Sequence, residues 1–221
     1  MVDIFDEVDE DLRAERTARL LKKYGWLLGV GAMAVIGGAI GWQAWERVQA
    51  GKDLDAAQRY MAAQAAAAGA NVPGAPGRAD AINLLQQSAA ASPEGYRTLS
   101  LMRAANLKAN EGDVQGAATL WSQVAADGAA DPILRDLATL LAAQHQLDKG
   151  DPAALEARLK PLAEPGSAWG PLAREQLALL DLRQGKVDEA KTRLKALAES
   201  VTAPDGVRQR AAAVLQGLSG A

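Results

Sequence analysis

The stretch NEGDVQGAATLWSQVAAD, residues 110–127, contains a pattern that recurs through much of the chain. Gly112 interrupts one helix, and a second helix is expected after this turn. Apolar side chains then recur at the spacing of one helix face, namely Val114, Ala117, Leu120, Trp121 and Val124. We therefore predict a turn followed by an amphipathic helix, with Trp121 in the core rather than at an exposed binding site.

Two further turns of this kind follow, DKGD at Gly150 and RQGK at Gly185, and a second helix is expected after each. Three equally spaced prolines mark the starts of the preceding helices, where a missing N–H costs nothing; they are Pro93, Pro132 and Pro171. The chain is rich in Ala and Leu and has one Phe and three Tyr, a composition that favours helices over strands. One hairpin cannot bury its own apolar face, but a stack of hairpins can. The sequence therefore predicts an all-α solenoid of helical hairpins over residues 93–221, ending in a capping helix.

Apolar spacing also predicts which side chains face the core. The first helices of the pairs present Leu99, Met102 and Ala105, then Leu134, Leu137 and Leu141, then Leu172, Gln176 and Leu180. The later second helices present Leu155, Leu159 and Leu162, then Val187, Ala190, Leu194 and Leu197. The last helix presents Val207, Ala211 and Leu215.

Upstream lies the uncharged stretch YGWLLGVGAMAVIGGAIGWQAW, residues 24–45. As a helix it would extend about 33 Å, against about 30 Å of bilayer hydrocarbon. Aromatic rings that favour the membrane interface lie at both ends; they are Tyr24, Trp26, Trp42 and Trp45. We predict a single transmembrane anchor helix over 24–45. A buried core helix would need a polar face, and a signal peptide cleaved near Ala50 would have a shorter apolar run and no closing tryptophans.

The predicted anchor carries a stripe of small residues, made of Gly31, Ala34, Gly37, Gly38 and Gly41. Such a stripe lets another helix approach closely in a membrane, although Gly and Ala are also simply common in membrane helices. Lys and Arg are more frequent before the span than after it, which favours a cytoplasmic N-terminus. We therefore expect a cytoplasmic tail over 1–23 and a periplasmic C-terminal part, in which 46–92 form a helical extension and the first helix pair.

Residues suited to chemistry are scarce. His145 is the only histidine and lies near a predicted helix end, where a helix-end cation or a packed polar residue is the usual role. Cysteine is absent, no Gly-x-Ser-x-Gly elbow occurs, and no ligand spacing supports a metal. The net charge of −3 is mixed along the chain, which argues against nucleic acid. We predict a protein without catalytic, cofactor or metal sites and without a small-molecule substrate. Trp169, which precedes a helix start, is a possible partner contact.

The helix–turn–helix units and their turns resemble degenerate tetratricopeptide repeats. The order of parts is similar to a more specific family: an acidic DIFDEVDEDLRAER, a basic LLKKYGW, one glycine-rich span ending in GWQAW, then alanine-rich repeats. It resembles the ancillary subunit of the Sec translocon, YfgM type. The resemblance implies a single-pass protein of the bacterial inner membrane with its repeats in the periplasm. It also implies association with the Sec channel and with a membrane-bound periplasmic chaperone, in the service of protein secretion.

A self-assembling envelope scaffold that coordinates cell-wall or division machinery is the alternative hypothesis. That alternative predicts that the repeats themselves oligomerise, whereas the translocon hypothesis predicts a hetero-complex that depends on the anchor. An enzyme ranks behind both, because only His145 could support one.

Overall fold

A computed structural model describes residues 4–70 and 74–219, with side chains at 22, 26, 30–31, 33–70 and 74–219. These residues form helices and turns, with no β-strand among them. The helices are α1 Ile4–Ala68, α2 Arg78–Ala91, α3 Glu94–Asn110, α4 Val114–Ala126, α5 Pro132–Gln146, α6 Pro152–Leu162, α7 Gly170–Arg183, α8 Val187–Ala198 and α9 Asp205–Ser219. The prediction of an all-α fold is confirmed.

The chain divides into two compact units, Met1–Lys52 and Asp53–Ala221, and the division falls inside α1. The first unit is the earlier part of α1. Within the described residues, no helix combines the length and the apolar character that crossing a membrane requires. The anchor predicted over 24–45 is not found there, and several side chains of that stretch, including Tyr24, lie outside the described residues.

In the second unit, aspartates fix where three of the helices begin. Asp113 accepts a hydrogen bond from the Gly116 N–H at 2.8 Å, and Asp151 accepts one from the Ala154 N–H at 2.9 Å. Asp131 accepts from the Ile133 N–H at 2.7 Å, with Pro132 in the first helical position. Such caps satisfy N–H groups that have no partner inside the helix. The predicted helix starts therefore have a local chemical cause.

In two of the helical hairpins, a glycine ends the first helix. Gly112 has a φ of +84° and Gly185 a φ of +76°, a conformation that only glycine adopts without cost. After each glycine, an N–H reaches back to a helix carbonyl: Asp113 to Lys108 at 3.0 Å and Lys186 to Asp181 at 2.9 Å. This closing bond turns the chain sharply and starts the second helix of the pair.

Three buried clusters hold the second unit together. The first joins α1 to α5 around Trp121, the second joins α5, α6 and α7, and the third joins α7, α8 and α9. Trp121 is 0 % exposed, which confirms its predicted place in the core. The three predicted leucines of α6 are also buried. Val187 is wrong as a core residue, because it is exposed at the first position of α8.

Candidate partner-binding surface

One helix of each pair contacts its counterpart in the next pair. α3 contacts α5, α5 contacts α7, and α7 contacts α9. Side chains that these helices leave exposed or only partly buried form what we call the odd-helix face. Its apolar members are Leu99 and Met102 on α3, Ile133, Leu134, Leu137 and Leu141 on α5, and Leu172 and Leu179 on α7.

The α5 part of this face departs from the sequence prediction. Leu134, Leu137 and Leu141 were expected in the core, but they are only half-buried. The buried residues of α5 are Ala138, Leu140, Ala142 and Ala143. The physical reason is close helix packing: alanine lets neighbouring helices approach at the contact, and the larger leucines are moved to its edge. Leu99 of α3 was also predicted to face the core, and this prediction is wrong, because Leu99 is 40 % exposed.

Ile133 stands out on the odd-helix face because it is 55 % exposed in the first turn of α5. Next to it lies Trp169, the residue before α7, whose Nε1 donates to the Ile133 carbonyl at 2.9 Å. The Trp169 ring is half-buried and packs on the α5–α7 cluster. Its polar atom is therefore satisfied inside the fold, and its role as a partner contact stays a prediction. Apolar side chains exposed side by side are typical of surfaces that bind other proteins.

Two arginines, Arg210 and Arg183, hold neighbouring helices together. Arg210 of α9 donates twice to the buried Glu175 carboxylate of α7, at 2.6 and 2.7 Å, and this raises the pKa of Arg210. Arg183 Nη1 donates to the Leu147 and Gly150 carbonyls at 2.6 and 2.7 Å. Both arginines are therefore already engaged within the fold.

His145 stacks on the buried indole of Trp121, with ring centroids 4.9 Å apart and planes 24° from parallel. His145 keeps an exposed surface, but partial burial of its ring lowers the pKa of His145 below its ordinary value. The imidazole borders a cleft of about 500 Å³ between the α3–α4 and α5–α6 turns, where Asp113 and Lys149 also lie. In the described part of the chain, no group of three potential ligands could hold a metal ion. The stack gives His145 a packing role beside a buried ring.

The stability of the second unit should depend on pH through His145. Its folded pKa is lowered, so the unfolded state binds the proton more readily as pH falls below about 6.5. We expect the free energy of unfolding to be highest above that pH and to decline below it. Replacing His145 by Gln should remove the histidine part of this decline. Since the chain has one histidine, a single imidazole NMR signal reports the titration. A folded pKa above 6.5 would contradict the expectation.

In the first unit, the described side chains of the predicted anchor are exposed. Trp26, Trp42 and Trp45 are all exposed, and the rings of the last two lie 5.7 Å apart. Gly31, Ala34, Gly37, Gly38 and Gly41 are exposed as well, and a Cβ added at any of these four glycines would meet nothing within 4 Å. The predicted docking stripe is therefore open along the helix, and its function stays a prediction.

Comparison with known proteins identifies the family. The sequence profile of the tetratricopeptide repeat-like domain matches residues 19–138, more than half of the 221-residue chain. Searches of curated proteins and of solved structures each give no match. The matched region contains the uncharged stretch and ends inside α5, a helix of the odd-helix face. The chain therefore belongs to the tetratricopeptide repeat-like domain family.

Proposed function

We propose that this chain is a membrane-anchored module for binding other proteins. In this proposal it acts as an ancillary subunit of the Sec translocon and works with a membrane-bound periplasmic chaperone on secreted proteins. The tetratricopeptide repeat-like family supports the general role, because helical repeat arrays present extended surfaces to other proteins. The choice of partners follows from the resemblance in the order of sequence parts.

The observation that carries the anchoring is the exposure of apolar side chains on the first part of α1. Val30, Met33, Val35, Ile36 and Ile40 are between 52 and 75 % exposed. Tryptophans flank them, as is common where a helix meets the headgroups on both sides of a bilayer. Apolar side chains around a whole helix are unfavourable in water, and lipid would cover them. The repeats would then lie in the periplasm.

Protease treatment of spheroplasts tests the proposed topology. A tag after residue 221 should be digested from outside, the N-terminal tail should be protected, and the full-length mass should show that no leader has been removed. A protected C-terminal tag would place the repeats in the cytoplasm and contradict the proposal. Recovery of the chain in the soluble fraction would contradict the anchor itself.

Partner capture tests the small-residue stripe. Leu at Ala34 or Gly38 should reduce recovery of the Sec channel and chaperone by several-fold, because a larger side chain prevents close helix approach. Leu at Ala39 is the matched control, because this exposed position lies on another side of the helix. Equal recovery with all three variants would contradict docking through the stripe.

A second pair of variants tests the odd-helix face. Ile133→Asp adds a charge to an exposed apolar position in a first helical turn, where an acidic residue is well tolerated. It should weaken capture of a partner that binds this face by ten-fold or more, which corresponds to about 1.4 kcal/mol. Val201→Asp, at a fully exposed site between α8 and α9, is the control. Homo-oligomers larger than a dimer, formed through the repeats and without a translocon component, would instead favour the envelope scaffold.

A further inference from the structure

A second exposed stripe lies on α1 within the Asp53–Ala221 unit. Leu54, Gln58, Met61 and Ala65 follow one another at intervals of four, three and four residues, and all are exposed. Leu54 is 60 % and Met61 67 % exposed. The same part of the helix buries Ala56, Ala63 and Ala67 on its other side. We call these four residues the α1 seam.

The spacing of the α1 seam is that of one face of an α-helix, and it matches the a and d positions of a short coiled coil. Alternating steps of three and four residues keep a stripe facing a second helix along its length. Large side chains at Leu54 and Met61 alternate with the amide of Gln58 and the small Ala65, so that one helix offers both projections and gaps. This face is therefore compatible in shape with a second helix that packs along it.

The position of α1 in the second unit gives an independent reason. On its other side α1 faces α3, where Tyr60 and Tyr96 lie 6.0 Å apart, as α3 in turn faces α5. The α1 seam points away from this contact, and no helix covers it among the described residues. Two large apolar side chains, Leu54 and Met61, are left in water on this side of α1.

We propose that the α1 seam pairs with the α1 seam of a second copy, as two parallel helices in register. The seam has no charged residue, so identical helices can meet without repulsion. Gln58 favours an identical partner, because an amide is both donor and acceptor and can bond to its own counterpart inside an apolar seam. A polar side chain at one such position also fixes the register. The pair is closed by two-fold symmetry, so it does not grow into a scaffold.

The parallel direction rests on the proposed membrane anchoring, because two copies inserted the same way in one membrane run in the same direction. A seam of four residues is short, and anchoring would raise the local concentration enough for it to form. An antiparallel pair of unanchored chains would align the same seam differently. Direction and pairing can therefore be tested separately.

Disulfide trapping of the full chain in native membranes tests both points. The chain has no cysteine, so a single introduced one can join only to another molecule. We expect Gln58→Cys, Met61→Cys and Ala65→Cys to give a product of twice the chain mass on mild oxidation. Ala66→Cys is the matched control, because it changes another exposed alanine outside the seam; it should give several-fold less product.

Each outcome has a definite meaning. Doubled mass at all three seam positions and little at the control would support the parallel pair. Doubled mass at one seam position alone would retain the pairing but overturn its parallel direction, and with it the argument from anchoring. A product of another mass, equal product at Ala66→Cys, or no product would overturn the second copy as the occupant. Met61→Lys should abolish trapping at Gln58→Cys, and unchanged trapping would also overturn the seam.

Discussion

Replacing Trp121 by alanine is expected to lower the free energy of unfolding by about 3–5 kcal/mol. The indole is completely buried in the cluster that joins α1 to α5. Removal of the indole would leave a cavity between helices from several pairs. His145 would also lose the ring on which its imidazole stacks. Urea unfolding of the full chain in detergent, followed by circular dichroism, measures the effect. A loss below about 1 kcal/mol would mean that the neighbouring helices close the gap.

Trp121→Phe is the control for this prediction. Among the described residues, the Trp121 Nε1 has no hydrogen-bond acceptor, although it is buried. Phenylalanine would keep most of the ring's packing and would remove a polar group that gains nothing from the fold. We expect a cost within about 1.5 kcal/mol. If Phe were as harmful as Ala, the shape of the indole rather than its burial would determine the stability of the cluster.

Removing the Arg210 side chain should cost about 2 kcal/mol. The Glu175 carboxylate that accepts its two hydrogen bonds is almost fully buried on α7, so Arg210→Ala would leave a buried charge without its partner. Arg210 itself is more than half exposed, and water reaching the carboxylate limits the loss. Thermal unfolding of the full chain in detergent should show a lower midpoint.

Glu175→Gln provides the rescue, because it removes the charge that Arg210→Ala leaves unpaired. The double variant Arg210→Ala with Glu175→Gln should be more stable than Arg210→Ala alone. Lys160→Ala serves as a surface control, since its pair with Glu156 lies within one helix and should change stability by less than about 0.5 kcal/mol. If the double variant were less stable than Arg210→Ala alone, the buried charge would not be the cause.

Local chemistry made much of the fold predictable. Pro132 identifies a helix start, and Gly112 and Gly185 identify turns, because each acts within a few residues of itself. Trp121 was also predictable, because it lies in the middle of an apolar stripe. These signals need no knowledge of which helices are neighbours.

The rotation of α5 about its own axis, which decides which of its side chains are buried, was not predictable in the same way. Hydropathy favours Leu134, Leu137 and Leu141 as the core face, whereas the structure buries Ala138 and Ala142. Which face is buried depends on how closely the neighbouring helices approach, and the alanines allow that approach. The alanine stripe beside the leucines was the available signal. The Glu175–Arg210 pair joins residues 35 positions apart, so it becomes visible only once the helices are packed.

The division of the core into three clusters has a consequence for how the second unit comes apart. α5 belongs to the first two clusters and α7 to the last two, so each link between clusters is a single helix. In such a linear arrangement, stability is the sum of local and neighbouring terms. α9 can therefore detach while the Trp121 cluster remains intact, and its detachment requires the Arg210–Glu175 pair to break. Local unfolding at the C-terminal end would then leave the α1–α5 part of the fold in place.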